Sequence, residues 1–267
     1  MNEEILIDKE IKLNNAVMII GLGGWGNAGE VSTFSIKYLT EKLSAKKFGE
    51  IPSERFHSYL IQRPIVSINQ GIIESYIPPR NDLFYWKTEE SVDLVLLYGY
   101  EPHLNWTKYI KNVIRIATET GVERIYTIGG YLADIYHNSE TPIAASTNNE
   151  QLLVGLEEAG IELTNYKGPT SIYSELMWEA REKIDVISLW CAVPIYIKGL
   201  YPKAAFSMLT KIIKLVGLEL DLKDLEEKAK SFKAQLEIEG VDPDQLRDLI
   251  DNLRRRKDRK DEPTYFV

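Results

Sequence analysis

Residues 16–29 read AVMIIGLGGWGNAG, and this stretch decides the fold: five apolar residues running straight into a glycine-rich turn. An apolar run this short and unbroken suits a strand covered on both faces. Beyond the turn, Val31, Phe34, Tyr38, Leu39 and Leu43 recur at helical spacing. Strand, turn and helix then repeat. Asp93–Gly99, Arg124–Ile128, Glu162–Tyr166 and Val186–Trp190 read as further strands, and Trp106, Tyr109, Ile110, Val113, Ile114 and Ala117 as a helix. Thr147 followed by Glu150 predicts a capping box opening a helix that carries Leu152, Leu153 and Leu156. The alternation predicts an α/β layered domain with a largely parallel sheet. From Phe56 to Ile77 the β-rich runs are broken by Gln62-Arg63-Pro64 and Asn69-Gln70-Gly71, which predicts a hairpin or antiparallel edge.

Past Pro202 the pattern turns wholly helical. Ala205, Met208, Leu209, Ile212, Ile213 and Val216 form one stripe ending at Gly217. Leu222, Leu225, Ala229, Phe232 and Leu236 then step by threes and fours like a coiled-coil seam. Asp242 and Pro243 predict a further helix start, with Leu246, Leu249, Ile250 and Leu253 on one face. A two-helix hairpin has little core of its own, so these faces must pack on the body or on another subunit. The expected organisation is an α/β domain over residues 1–202, a helical extension over 203–253 and a charged tail over 254–267.

Composition bounds the function. The chain has 267 residues, 44% apolar and 27% charged, which is ordinary globular composition. A net charge of −8 argues against a general nucleic-acid binder. Cys191 stands alone, in an apolar run, so it reads as a small buried hydrophobe and no internal disulfide is possible. The first residues lack the basic start and apolar stretch of a signal peptide, and no apolar run approaches the ~20 residues that span a bilayer. A cytoplasmic protein without membrane contact is expected.

Gly21, Gly23 and Gly26 match a dinucleotide-binding G-x-G-x-x-G, but a lone match is weak. Trp25 puts a large ring where a dinucleotide would lie, and Lys42–Glu50 reads as a helix end and loop rather than the second strand such a site needs. The loop reads instead as a strand-to-helix turn that needs glycine for its backbone angles, and no cofactor is expected. His57, His103 and His137 lack partners at metal-site spacing. No G-x-S-x-G elbow offers a hydrolase nucleophile. Glu101 and Asp134 follow strand ends, where α/β sheets place ligands. Trp25, Trp106 and Trp190 read as core or subunit contacts.

The motifs themselves resemble a known family. Gly24-Trp25-Gly26-Asn27-Ala28-Gly29 looks like the Gly-Trp-x-Asp-Ala-Gly segment of the proteasome assembly chaperone 2 family, with Asn27 in place of the usual acid. Arg63-Pro64, Gly99-Tyr100-Glu101-Pro102 with Trp106, Ile128-Gly129-Gly130 and Tyr166-Lys167-Gly168-Pro169 are similar to further family motifs, in the family's order. So are Ser188-Leu189-Trp190 with Val193-Pro194-Ile195-Tyr196, and Pro202-Lys203-Ala204. The resemblance implies a three-layer α/β/α fold like that of nucleoside phosphorylases, a homo-oligomer, and no catalysis. It also directs attention to the C-terminus, because proteasome activators end in hydrophobic–tyrosine–any residue. Here the end is Tyr265-Phe266-Val267, with phenylalanine at the tyrosine position. These three are the candidate partner-binding residues, and the α-ring of the proteasome core particle is the expected partner. The preceding residues 254–260 hold six basic side chains and one acidic one, either a solubilising spacer or a steering patch. Two rival readings stay open: an enzyme of nucleoside phosphorylase or hydrolase type with a pocket at the strand ends, and a scaffold joining another partner through its helical hairpin.

Overall fold

Strand β2 (Ala16–Gly23), the run that opens the chain's pattern, lies at the centre of a nine-stranded sheet. The computed structural model describes residues 5–7, 10–89 and 91–238. On one side of β2 runs β7 (Asp93–Tyr100), and on the other β8 (Val122–Ala133) and then β11 (Asp185–Pro194), all four parallel. The arms turn antiparallel. β6 (Arg80–Trp86) pairs with β7, β3 (Lys46–Pro52) with β6, and β1 (Leu6–Ile7) with β3. Beyond β11, β9 (Ile143–Thr147) runs antiparallel and carries the short β10 (Glu162–Leu163) beside it.

Helices cover both faces. Because strand side chains alternate, Ile19, Leu94 and Leu96 face one layer while Met18, Ile20, Val95 and Leu97 face the other. The first layer holds α1 (Val31–Lys42), α3 (Leu153–Glu158), α5 (Pro202–Val216) and α6 (Lys223–Ile238). The second holds α2 (Trp106–Thr120) and α4 (Ile172–Ala180). The result is the three-layer α/β/α arrangement expected. The helical stripe after Pro202 packs on the body: Ala204, Ala205, Met208, Leu209 and Ile212 of α5 are fully buried. Leu222, Leu225 and Ala229 of the α6 seam are buried too, with Phe232 and Leu236 packed against the same cluster. Asp224 ties the start of α6 to α1, accepting from the Tyr38 hydroxyl at 2.7 Å and pairing with Lys42 at 2.8 Å. The helix expected from Asp242 onward lies outside the described residues.

Three local readings need correction. Lys42–Glu50 ends a helix as expected but then enters strand β3, not a loop. The β3 sequence hides this, because Phe48 and Ile51 are its only buried large apolar residues and its register slips between Lys47 and Gly49. The predicted strand Glu162–Tyr166 is ordered as strand only over Glu162–Leu163, at the sheet edge. Thr147 is not the helix cap: it ends β9, where its hydroxyl donates to the Val186 carbonyl at 2.9 Å and accepts from the Asn149 amide at 3.2 Å. Asn149 takes the cap, accepting from the Gln151 amide at 3.0 Å before the turn into α3. β6 and β9, both unforeseen, complete the arms. The Phe56–Ile77 segment does contain a hairpin, β4 (Ile65–Asn69) and β5 (Ile72–Ile77), turning at Gln70-Gly71 and standing apart from the main sheet.

Candidate functional site at the carboxyl ends of the central strands

The loop leaving β2 is locked onto its neighbours. The Asn27 side chain accepts from the backbone amides of Ser32 and Thr33 at 3.0 and 3.2 Å and donates to the Thr33 hydroxyl at 3.0 Å. It thereby satisfies donors that the first turn of α1 would otherwise leave open. An amide group suits this task because it accepts and donates at once. The loop also pairs with the end of β8: the Gly130 amide donates to the Gly26 carbonyl at 2.7 Å. A Cβ on Gly130 would sit 2.3 Å from the Ala28 carbonyl oxygen, so only glycine lets the loop seat there. This close approach is the physical content of the Ile128-Gly129-Gly130 motif.

Glu101 comes from the loop after β7 and fastens the glycine turn from the other side. Its carboxylate accepts from the Ile172 amide at the start of α4, at 2.8 Å, and from the backbone amide of Trp25. Burial pushes its pKa up, and the two amide bonds oppose that rise without cancelling it. Gly24, at φ +124, brings the turn against this side chain; a Cβ there would lie 3.1 Å from that of Glu101. An internal carboxylate thus holds a loop amide of the kind a pyrophosphate would need. β3 also fails the Rossmann pattern, because β7 and β6 separate it from β2. The buried Tyr173 of α4 adds a second tie: its hydroxyl accepts from the Leu22 amide at 2.8 Å and bonds the Ser32 hydroxyl. Ser32 in turn donates to the Ile128 carbonyl at 2.6 Å.

Beside these ties opens a cleft of about 450 Å³ between α4 and the ends of β8, β11 and β9. Its walls are aromatic, from Trp25, Tyr131, Tyr166 and Trp190, and hydroxylated, from residues such as Ser146 and Ser174. Among the described residues no charged side chain lines it. Trp25 is 53% exposed and meets Trp190 edge-on at 6.3 Å, shaping the cleft mouth, while Trp190 also packs against the second core cluster, a core contact as expected. Trp106 packs against the second helix layer, its indole donating to the Pro102 carbonyl at 2.6 Å.

The other candidates scatter. His57 and His103 meet edge-on at 5.6 Å, and His137 lies against Tyr196, its Nδ1 2.9 Å from the phenol oxygen. Among the described residues no three His, Cys, Asp or Glu side chains converge as a metal site would require. Cys191 is fully buried, and burial drives its thiol pKa far up. Asp134 follows β8 but does not line the cleft. Tyr265, Phe266 and Val267 lie outside the described residues. What sequence reasoning missed was the pairing of Glu101 and Tyr173 around α4; only the Gly-x-Glu-Pro motif hinted at half of it.

The model of the PAC2 family matches residues 21–238, the whole of this loop system and both helix layers. The chain belongs to the PAC2 family. An uncharacterized protein of Methanocaldococcus jannaschii is 25% identical over 240 residues, 87% of each chain. A crystal structure of a PAC2 family protein from Streptomyces avermitilis superposes with TM-score 0.76 at 26% identity, over 83% of this chain and 94% of that one. Pyrococcus furiosus PbaB, described as an archaeal proteasome activator, shares the PAC2 fold at TM-score 0.68 and 24% identity, over 87% of this chain and 96% of its own. None of the described helices is long and apolar enough to cross a membrane.

Proposed function

We propose that this PAC2 protein is a non-catalytic, cytoplasmic partner of the proteasome, an assembly chaperone homologue or an ATP-independent activator. In this reading a homo-oligomeric body presents C-terminal tails to the α-ring of the core particle. The observation that carries it is the aromatic terminus Tyr265-Phe266-Val267, behind Pro263 and a basic stretch, on a chain of the fold shared by PbaB. The terminal carboxylate is ionised at neutral pH and pairs with a lysine at the base of an α-ring groove. Tyr265 and Phe266 supply apolar contact, and Pro263 lowers the entropy lost on docking. Phe266 in the tyrosine position forgoes one hydroxyl hydrogen bond, worth ~1 kcal/mol. Residues 254–267 reach at most ~45–50 Å when extended, enough to leave one ring and enter another. Several tails engaged together gain 10²–10⁴ in avidity, as an order of magnitude.

The internal use of Glu101 and the uncharged lining of the cleft support a scaffold over an enzyme. The test is a pull-down with α-rings that compares the full chain with one ending at Thr264. Retention by the full chain alone is expected; equal retention rejects the tail as the hook. The cleft itself favours a second reading, a small-molecule site for an uncharged ring such as a nucleoside. A thermal-shift screen with nucleosides, ribose phosphates and NAD tests it, and a rise of several degrees would support it.

A further inference from the structure

We propose that the β4–β5 hairpin is the contact through which copies of this chain associate, hairpin packed against hairpin. It rests on the multimer of the reading above, but not on the tail.

The register puts cross-strand partners on one face. Val66 pairs with Tyr76 and Ile68 with Ile73, so these four form a continuous apolar patch. The opposite face carries the Ile65–Ile77 pair and Ile72. Neither face is covered by the described residues: every residue of both strands is exposed, Ile72 at 71%, and Leu60 at the hairpin root at 88%. A two-stranded hairpin with no covered face is marginal in water by itself. A contiguous apolar surface beyond a few hundred Å² marks an interaction site. From their fractional exposures the four patch residues offer roughly 400 Å², and the hairpin and its root, both faces together, on the order of 1,000 Å², against the ~800 Å² each partner gives to a standard interface.

Two arguments choose a second copy as the occupant. The first is charge. Copies carrying a net charge of −8 repel one another, so self-association needs a surface nearly free of charge. Residues 65–77 contain one charged side chain, Glu74, and it accepts from the Asn69 amide at 2.9 Å at the hairpin tip. An isologous contact sets each patch against itself, and this patch is self-compatible. The second is stoichiometry. A surface this apolar must be covered on every molecule at all times to keep the chain soluble, and the chain itself is the one partner always present at equal amount.

The experiment is mass measurement by light scattering on the purified full chain at micromolar concentration. The wild type is expected as a multimer. Ile68→Glu with Ile73→Glu places two charges per copy in the patch and is expected to weaken association at least tenfold and shift the mass to a smaller species. The body should stay folded, since the hairpin contributes nothing to either core cluster, and circular dichroism checks this. A cross-link guards against a misfolded variant. Cys191 is the only cysteine and is buried, so Val66→Cys introduces the single accessible thiol, on the patch face. Mild oxidation is expected to give a covalent dimer that reductant reverses. A monomeric wild type, or a double variant that keeps the wild-type mass, overturns the proposal. The chain ending at Thr264 should keep the full mass while losing α-ring binding. Loss of tail docking with the multimer intact therefore counts against the function proposed above and not against this contact.

Discussion

Tyr173→Phe removes one oxygen atom and tests the account of how the strand ends are fastened. The Tyr173 hydroxyl accepts from the buried Leu22 amide at 2.8 Å. The same phenol lies in hydrogen-bond contact with the Ser32 hydroxyl, which also donates to the Ile128 carbonyl at 2.6 Å. Phenylalanine leaves the Leu22 amide as a buried donor without an acceptor, at about 1–3 kcal/mol, and forfeits a further bond of about 1 kcal/mol. The ring stays, edge-on to Trp190 at 5.9 Å, so no cavity cost is added. The expected loss is about 2–3 kcal/mol, or roughly 5–10 °C in Tm for a chain this long. Urea unfolding measures it, with the slope against denaturant unchanged. Tyr166→Phe is the control: that hydroxyl reaches only the Pro169 carbonyl, from an exposed position, and should cost less than ~0.5 kcal/mol. Pairing Tyr173→Phe with Ser32→Ala should show coupling of at least ~0.5 kcal/mol. A Tyr173→Phe protein as stable as the wild type would refute the tie.

Gly130→Ala should destabilise the protein by about 1–3 kcal/mol, because its Cβ meets the Ala28 backbone oxygen. It should also disturb the near-ultraviolet circular dichroism of the Trp25–Trp190 pair, while Gly155→Ala, with nothing near its Cβ, should be neutral or stabilising. His57 is held below the usual histidine pKa, first by burial and then by nearby His103, against a bond to the Tyr100 carbonyl. A lowered folded pKa means the unfolded chain takes the proton first, so stability should fall as pH drops below ~6.5. Melting temperatures at pH 7.5, 6.5 and 5.5 measure that slope, which His57→Asn should flatten; an unchanged slope assigns it elsewhere.

The layers were legible in the sequence because they rest on repetition. The runs that became β2, β7, β8 and β11 are largely buried on both faces and so are mostly apolar, and the buried Thr127 and Ser188 that interrupt two of them bond each other at 2.8 Å. The stripes of α5 and α6 announce their buried sides by spacing alone. β3 was illegible because a strand in an arm of the sheet, with a register slip, needs few apolar positions. The capping error at Thr147 has the same root: both Thr147 and Asn149 are capping types, and only the pairing of Thr147 with Ile187 shows that β9 runs to it and leaves the cap to Asn149. The site was half legible. Glycines and Glu101 stand out in sequence, but Glu101 and Ile172 lie 71 residues apart, and Leu22 and Tyr173 lie 151 apart. No local pattern encodes such pairs.

The central claim is that the free carboxyl end enters a groove on the core particle. The affinity of the immobilised core particle for the wild type, and for a chain carrying two extra residues after Val267, tests it without altering the body. The account predicts at least tenfold weaker binding by the extended chain at unchanged oligomeric mass. Equal affinities would contradict it.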